Sequence, residues 1–239
     1  MFWRLEAWIQ EQDFNPGVLG LFINPFYFAR KGLHQHVLAL APHVRGKILD
    51  VGCGSKPYQK FFDASEYIGL DIEGRNPQAD LHYNGKIFPF DSGEFDAVLT
   101  SQVLEHVFNP NEFLSEVNRV LRDDGVLLLT VPFVWDEHEQ PFDYARYSSF
   151  GLRHLLDCHG FEVLEHRKSI NDLSVICQLI NAYIYKKTVT DSISLNLFFT
   201  IVLMAPFNFC GLVLGKVLPN NSDLYLDNIV LARKRKSLQ

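Results

Sequence analysis

The chain has 239 residues, of which 47% are hydrophobic and 13% aromatic, and its 28 acidic and 22 basic side chains give a formal net charge of -6. This length suits one large domain with an appendage, and the apolar content excludes an intrinsically disordered chain. The acidic balance disfavours a dedicated nucleic-acid-binding protein, so no nucleic-acid partner is predicted. Phenylalanine is unusually frequent, since twenty phenylalanines outnumber fifteen glycines.

Residues 1–44 read as an aromatic helical segment that two Asn-Pro pairs interrupt. A second helix is predicted over residues 29–40, before Pro42. The first six residues lack a basic region followed by an apolar stretch, and the four cysteines form no C-x-x-C pair. We therefore expect a cytosolic location. One helical face of this segment carries apolar side chains at the spacing of helical turns: Phe2, Leu5, Trp8 and Ile9.

From residue 45 onward, short apolar runs alternate with helical patterns, which predicts a mostly parallel α/β sheet with flanking helices. The domain ranges are 1–44 for the N-terminal segment, 45–170 for the core, 171–220 for an apolar helical insertion and 221–239 for a closing strand and basic tail. Helices are predicted at residues 111–121, 149–158 and 172–190. Strands are predicted at residues 48–51, 67–70, 95–99, 126–131, 161–165 and 224–231.

The strongest local signal is a glycine turn after the first of these strands. The strand runs into Gly52-Cys53-Gly54, where missing β-carbons let the backbone approach a ligand. Nineteen residues past Gly52, the second strand ends at Asp71, where a carboxylate can accept hydrogen bonds from ribose hydroxyls. The dinucleotide fingerprint needs a third glycine at position 57, but this residue is Pro57. The motif thus favours an adenosyl ligand without phosphates over NAD, and S-adenosylmethionine (SAM) is the obvious candidate.

In its motifs and their order, the chain resembles the class I SAM-dependent methyltransferases, and within them the type 11 group. This resemblance implies an enzyme with a Rossmann-like, seven-stranded, mostly parallel sheet, flanked here by N-terminal and C-terminal apolar helical appendages. It also implies SAM as the cofactor. The matching motifs are Ile48-Leu-Asp-Val-Gly-Cys-Gly54, Gly69-Leu-Asp-Ile72, Phe88-Pro-Phe90 with Phe95-Asp96, Gln102-Val-Leu-Glu-His106 and Arg119-Val-Leu-Arg-Asp-Asp-Gly125.

The resemblance assigns cofactor-binding roles to particular positions. Asp71 would hold the ribose, Ile72 would pack on the adenine, and Gln102 would line the methionine and sulfonium region. Asn84 stands where the family usually has an aspartate that bonds the adenine amino group, and its side-chain oxygen can accept the same bond. The first turn, around the methionine part of the cofactor, would be formed by Asp50, Gly52, Cys53 and Gly54.

The loop after the fifth strand carries the predicted catalytic residues, because ligands of such sheets bind beyond the carboxyl ends of the strands. We expect His138 to remove the proton of an acceptor hydroxyl, with Asp143 or Glu139 orienting it and Arg146 pairing with a substrate phosphate or carboxylate. In the alternative interpretation, His138 holds the loop in place and Arg146 bridges Asp143. His106 follows Glu105 on a predicted helix and is assigned a structural role, and no metal site is predicted.

Residues 192–215 contain no charged side chain, a length sufficient for a membrane span. A single span would separate the closing strand from its sheet, so a helical hairpin on the inner face of a membrane is predicted, with Lys186, Lys187 and the 233–236 tail on anionic head groups. The alternative is a core segment or a homo-oligomer interface. The predicted acceptor is a small-molecule or lipid-linked substrate, namely a hydroxyl of a glycan or lipid-linked envelope intermediate. Quinone methylation and a non-catalytic partner protein are the other candidates.

Overall fold

The computed structural model describes residue 12 and residues 14–236, and it divides into two compact units. The sheet unit comprises 36–133, 137–167 and the described residues from 227 onward. The helical unit comprises the described residues up to 35, with 134–136 and 168–226. The N-terminal segment and the apolar insertion therefore belong largely to one unit, although the sequence treats them as separate ranges. The helical face predicted for Phe2, Leu5, Trp8 and Ile9 lies outside the described residues.

The sheet unit is built on seven strands in the order β3-β2-β1-β4-β5-β7-β6, which confirms the predicted fold class. Strands β1 to β5 pair in parallel, and β7 pairs antiparallel with β5. Continuous buried runs such as residues 48–51 of β1 suit strands covered on both faces. The strands are β1 (Arg45–Val51), β2 (Asp63–Ile72), β3 (Leu81–Tyr83), β4 (Phe95–Ser101), β5 (Leu121–Pro132), β6 (Phe161–Ser169) and β7 (Asp227–Lys234).

Two capped helices of this unit follow the predicted amphipathic patterns. The side chain of Asn109 accepts a hydrogen bond at the start of α3 (Pro110–Val120), and Ser148 does the same for α4 (Ser149–Cys158). Helix α3 matches the predicted range 111–121 to within one residue at each end, and it ends at Val120 because the backbone is already extended at Leu121. The strand β3 was not predicted, since three residues are too few to show a period.

The helical unit contains α1 (Gly20–Ile23), the start of α2 (Tyr27–Leu40), and α5 (Ser174–Thr188), α6 (Ile193–Phe199) and α7 (Ala205–Val217). Buried amides join its segments. Gln178 of α5 accepts from the backbone amides of Phe28 and Ala29 and donates to the Pro25 carbonyl. Asn208 of α7 donates to the carbonyls of Leu21 and Asn24. These bonds satisfy polar groups that would otherwise destabilise an apolar interior.

The predicted helical hairpin at residues 192–215 is wrong. The chain is helical from Ile193 to Val217, with a π-helical segment at Thr200–Met204. Pro206 lies in the first turn of α7, where a missing amide proton costs little, so it does not break the run. Gly211 faces a neighbouring ring, because a β-carbon there would lie 2.7 Å from Cε2 of Phe28. Pro206 and Gly211, residue types that typically interrupt helices, are thus accommodated by the π segment and by packing.

By length and composition, Ile193–Val217 is the one described helical run that could cross a membrane. The mean hydropathy of its most apolar stretch is 2.2, and only 28% of that stretch is buried. Helix α6 contains no buried residue. An apolar helix with this exposure is the principal feature of the helical unit that packing within the unit does not explain.

Candidate functional site

The glycine turn lies at the carboxyl end of β1. The Gly52 amide donates to the Leu70 carbonyl over 2.8 Å, which ties the turn to β2. Gly52 has a φ of +70°, and a β-carbon there would lie 2.4 Å from Cγ2 of Val103. Gly54 also has a positive φ, and no atom lies within 4 Å of the β-carbon it lacks. The turn therefore requires glycine at its start and leaves open space at its end.

Asp71 lies at the end of β2, beside this turn. Its Oδ2 accepts a hydrogen bond of 3.0 Å from Nδ2 of Asn76, which also donates to the Gly54 carbonyl over 2.7 Å. Asn76 thus connects the carboxylate to the glycine turn. Sequence reasoning missed Asn76, because a single asparagine in a loop carries no periodic or motif signal.

These groups line a cavity of about 630 Å³, a volume in the range of small-molecule sites. Five of the predicted cofactor-binding residues line the wall of this cavity, and so does His106. Those five residues are Gly52, Gly54, Asp71, Ile72 and Gln102.

The other three predicted cofactor residues do not line this cavity. Asp50 and Cys53 are buried, and burial raises the pKa of the Cys53 thiol to about 12, which makes it unreactive. The side-chain oxygen of Asn84 accepts from the amides of Lys86 and Ile87, so it stabilises its own turn. The roles assigned to these three positions stay predictions.

Asp50 is held by Tyr67, whose hydroxyl donates to Oδ2 over 2.6 Å. Burial raises the pKa of Asp50 from 3.8 to about 7. Between about pH 4 and pH 7, Asp50 is therefore protonated in the folded chain but ionised in the unfolded chain. Because the folded state binds more protons in this range, its stability falls as the pH rises from about 4 to about 7.

We therefore expect Asp50→Asn to flatten this part of the pH dependence. The variant keeps an acceptor for the Tyr67 hydroxyl but has no proton to lose. Between about pH 4 and pH 7, the free energy of unfolding of the wild type should therefore fall by about 2 to 4 kcal/mol more than that of the variant. Denaturant unfolding at several pH values measures the difference. Parallel curves for the two proteins would contradict the assigned cause.

The loop after β5 is organised around Asp143. Its carboxylate receives two bonds from the guanidinium of Arg146, over 2.6 and 2.7 Å, and one from the His138 amide over 2.9 Å. The bond to Arg146 holds the pKa of Asp143 down at about 2. The geometry matches the alternative interpretation for Arg146, which bridges Asp143 instead of presenting its fork to a substrate.

A second set of contacts brings this loop close to the cavity. The guanidinium of Arg75 lies 4.6 Å from the ring centroid of Phe142 and 3.8 Å from Oε2 of Glu139. Arg75 and Glu139 both line the cavity. These contacts place the loop at its rim, where a lid would exclude water from a reacting methyl group.

Glu105, His106 and His138 form a cluster that sequence spacing did not reveal. Glu105 and His106 lie in a single 3-10 turn rather than the predicted helix, and the rings of His106 and His138 meet edge to face with centroids 4.8 Å apart. Glu105 is fully buried, and burial raises its pKa to about 8. The two histidines are 32 residues apart in sequence, so only the path of the loop after β5 brings them together.

The comparisons with known proteins agree with this fold. The profile of a family described as a methyltransferase domain matches residues 26–166. A probable S-adenosylmethionine-dependent methyltransferase of Mycolicibacterium smegmatis is 31% identical, with 60% of this chain and 62% of that protein aligned. A ubiquinone biosynthesis O-methyltransferase of Caulobacter vibrioides is 32% identical over 38% of this chain and 42% of its own length.

A solved structure extends the comparison to the fold. Phosphoethanolamine N-methyltransferase 2 of Haemonchus contortus, in complex with S-adenosyl-L-methionine, superposes with a TM-score of 0.53 at 14% identity. The match covers 91% of this chain and 56% of that one. At this identity the likeness concerns the fold alone.

The seven-stranded fold, with this cavity at the carboxyl ends of β1 and β2, is thus of the class I methyltransferase type. The profile match covers more than half of the chain, so the chain belongs to the methyltransferase-domain family. The prediction of a SAM-dependent methyltransferase family, with SAM as its cofactor, is confirmed. The chain matches 62% or less of the length of the curated relatives named above.

Proposed function

We propose that this protein transfers the methyl group of SAM to a hydroxyl of an acceptor that enters the cavity beside His106. The observation that carries the proposal is one cavity wall on which the Gly52–Gly54 turn, Asp71 and His106 meet. In this arrangement Asp71 holds the ribose and the glycine turn receives the methionine part. The imidazole side of the cavity is left for the acceptor.

Methyl transfer requires the protein mainly to position the acceptor against the methyl group of SAM. The sulfonium of SAM is already activated, so an in-line approach of the acceptor oxygen at close range is the principal requirement. A rim formed by Arg75 and Glu139 suits this role by limiting access of water to the methyl group. A hydroxyl acceptor must also lose its proton, and His138 remains the predicted base for that step.

For the acceptor class, we favour a hydroxyl of a glycan or lipid-linked envelope intermediate. The exposed apolar run Ile193–Val217 supports a substrate that is presented by a membrane. The ubiquinone biosynthesis O-methyltransferase relative supports a second candidate, a lipophilic quinone precursor, which the same apolar run would also suit.

The test of the function uses SAM with an isotopically labelled methyl group. The purified chain is incubated with separate glycan, lipid-linked and quinone fractions of a cell extract, and products are identified by mass spectrometry. One labelled methyl group in one fraction supports the proposal and names the acceptor class. SAM binding by calorimetry without label transfer to any fraction would instead favour a non-catalytic partner protein.

The membrane contact is proposed for the exposed side chains of the run Ile193–Val217. Ile193 and Val217 at its ends are 80% and 72% exposed, and Phe198 and Phe209 between them are 56% and 62% exposed. Lys187 and Lys216 lie exposed near the two ends and suit anionic head groups. Two other predicted head-group contacts are engaged elsewhere: Lys186 pairs with Asp136, and the tail pairs with acids of the sheet unit through Arg233, Arg235 and Lys236.

We expect the double variant Phe198→Ser, Phe209→Ser to bind anionic phospholipid vesicles at least about 10-fold more weakly than the wild type. Full burial of one phenylalanine side chain contributes about 1.5 to 3 kcal/mol, and partial burial at a membrane interface contributes only part of this. Each substitution to serine removes that contribution. Vesicle co-sedimentation measures the change. Phe150→Ser is the control, because Phe150 is 83% exposed on α4, outside the run. A wild-type chain that stays in the supernatant contradicts the membrane contact, and a concentration-dependent dimer would favour an oligomer interface.

A further inference from the structure

The carboxylate of Glu105 is the most unusual polar group of the sheet unit. Its side chain is fully buried, and neither oxygen has a hydrogen-bond partner among the described residues. An unpaired carboxylate in a protein interior costs several kcal/mol unless another group compensates it. Its location beside the cavity wall, one residue from His106, suggests that the compensating group is a ligand.

Two imidazoles complete the surroundings of this carboxylate. Nδ1 of His106 lies 2.8 Å from the Phe142 carbonyl, which only accepts, so in the neutral ring Nδ1 carries the proton and Nε2 keeps its lone pair. Nε2 of His106 lies 3.9 Å from Oε1 of Glu105. Nδ1 of His138 lies 3.3 Å from the Asp143 carboxylate. Carbonyl and carboxylate contacts of this kind orient imidazoles that bind metals.

We propose that Glu105, His106 and His138 bind one divalent transition-metal ion at the wall of the cavity. One ligand atom from each residue lies within 4.8 Å of the other two. The ligand atoms of a tetrahedral zinc site are about 3.4 Å apart. The three side chains therefore need to rotate modestly, so that their ligand atoms move closer together. Two imidazoles with one carboxylate are the ligand set of catalytic zinc sites, and they leave a fourth position open.

The electrostatic surroundings of Glu105 also favour a cation. The carboxylates of Asp143 and Asp227 act on Glu105 with negative charge, and the guanidinium of Arg146 offsets one of them. A divalent ion at this place would interact favourably with these carboxylates and would bind Glu105 in its ionised form.

The role of the ion rests on the proposed function. Because His106 lines the cavity, the open position of the ion faces the space assigned to the acceptor. An acceptor hydroxyl bound there becomes more acidic and releases its proton to solvent. Its oxygen then forms a bond to the methyl carbon while the carbon–sulfur bond breaks, and the electron pair of that bond stays on sulfur. The products are a methyl ether, S-adenosylhomocysteine and one proton.

The test measures metal binding directly, without an acceptor. The 239-residue chain is stripped with a chelator and titrated with Zn²⁺ by calorimetry. Co²⁺ serves as a second probe, because its visible absorption reports a tetrahedral site. Glu105→Gln and His106→Gln are the variants, both close in shape to the wild type. His154→Gln is the control, because His154 lies on α4, outside the three proposed ligands, with its imidazole 3.7 Å from the Cys158 thiol.

We expect one Zn²⁺ per chain in the wild type and in the His154→Gln control. Binding should be at least about 100-fold weaker in the two variants, since even a lost partner of a ligand costs 10- to 100-fold. Absence of stoichiometric binding to a folded wild-type chain, or equal binding by all four proteins, overturns the proposal. SAM affinity is measured on the same samples. If the wild type binds SAM but no metal, only the metal site is rejected. If the wild type does not bind SAM, the proposed function is rejected.

Discussion

Asp71→Ala is expected to weaken SAM binding at least about 100-fold. In the proposed complex, both carboxylate oxygens accept hydrogen bonds from ribose hydroxyls, and hydrogen bonds to a charged group contribute about 1.5 to 3 kcal/mol each. The substitution also removes the bond between Asp71 and Asn76, which holds the loop after β2 against the glycine turn. Isothermal titration calorimetry with SAM measures the loss.

Two further variants separate ribose recognition from general damage to the sheet. Asn76→Ala should have a smaller effect, about 10-fold, because it removes a positioning bond and leaves the carboxylate in place. Asp63→Ala, at the exposed start of the same strand, should bind SAM like the wild type. If Asp71→Ala binds SAM as tightly as Asp63→Ala, the cofactor does not lie across the end of β2.

His138→Ala is expected to lower the turnover number about 100-fold or more while leaving SAM affinity essentially unchanged. Removal of a general base typically costs 100- to 10,000-fold, and removal of a metal ligand has a comparable consequence for a metal-activated acceptor. The backbone amide of His138 still donates to Asp143 in the variant, so the loop keeps its main anchor. Methyl incorporation from labelled SAM into the acceptor fraction measures the turnover.

The same variant distinguishes the predicted base from the proposed metal ligand. If His138 is a ligand, an excess of Zn²⁺ should restore part of the activity, and a chelator should inactivate the wild type. If His138 is a base, neither addition changes the rate. Turnover equal to that of the wild type would exclude both roles and leave His138 as an anchor of the loop.

Much of the fold could be predicted from the sequence because its signals are local. Continuous apolar runs identified β1, β4 and β5, and the helical period identified α3 and α4, whose caps are adjacent in sequence. The glycine turn and Asp71 were recognised as parts of one site because the carboxyl ends of neighbouring parallel strands meet at one edge of a sheet.

Local signals also misled where tertiary contacts take over. Pro206, Asn208 and Gly211 look like helix breakers in the sequence, yet the π segment before α7 accommodates the proline, and the other two residues pack against neighbouring segments. This outcome is not encoded in the spacing of the residues concerned.

The sequence by itself determined the family, the strand and helix pattern and the cofactor, because each depends on residues that are neighbours along the chain. It also located the long uncharged apolar run of residues 192–215. Only the tertiary structure decided that Arg146 is paired with Asp143, that Asn76 connects the glycine turn to Asp71, and that Glu105, His106 and His138 meet at the cavity. These groups meet because the loop after β5 folds back so that the amide of Tyr144 bonds the Glu105 carbonyl, a contact between residues 39 positions apart that no local pattern records.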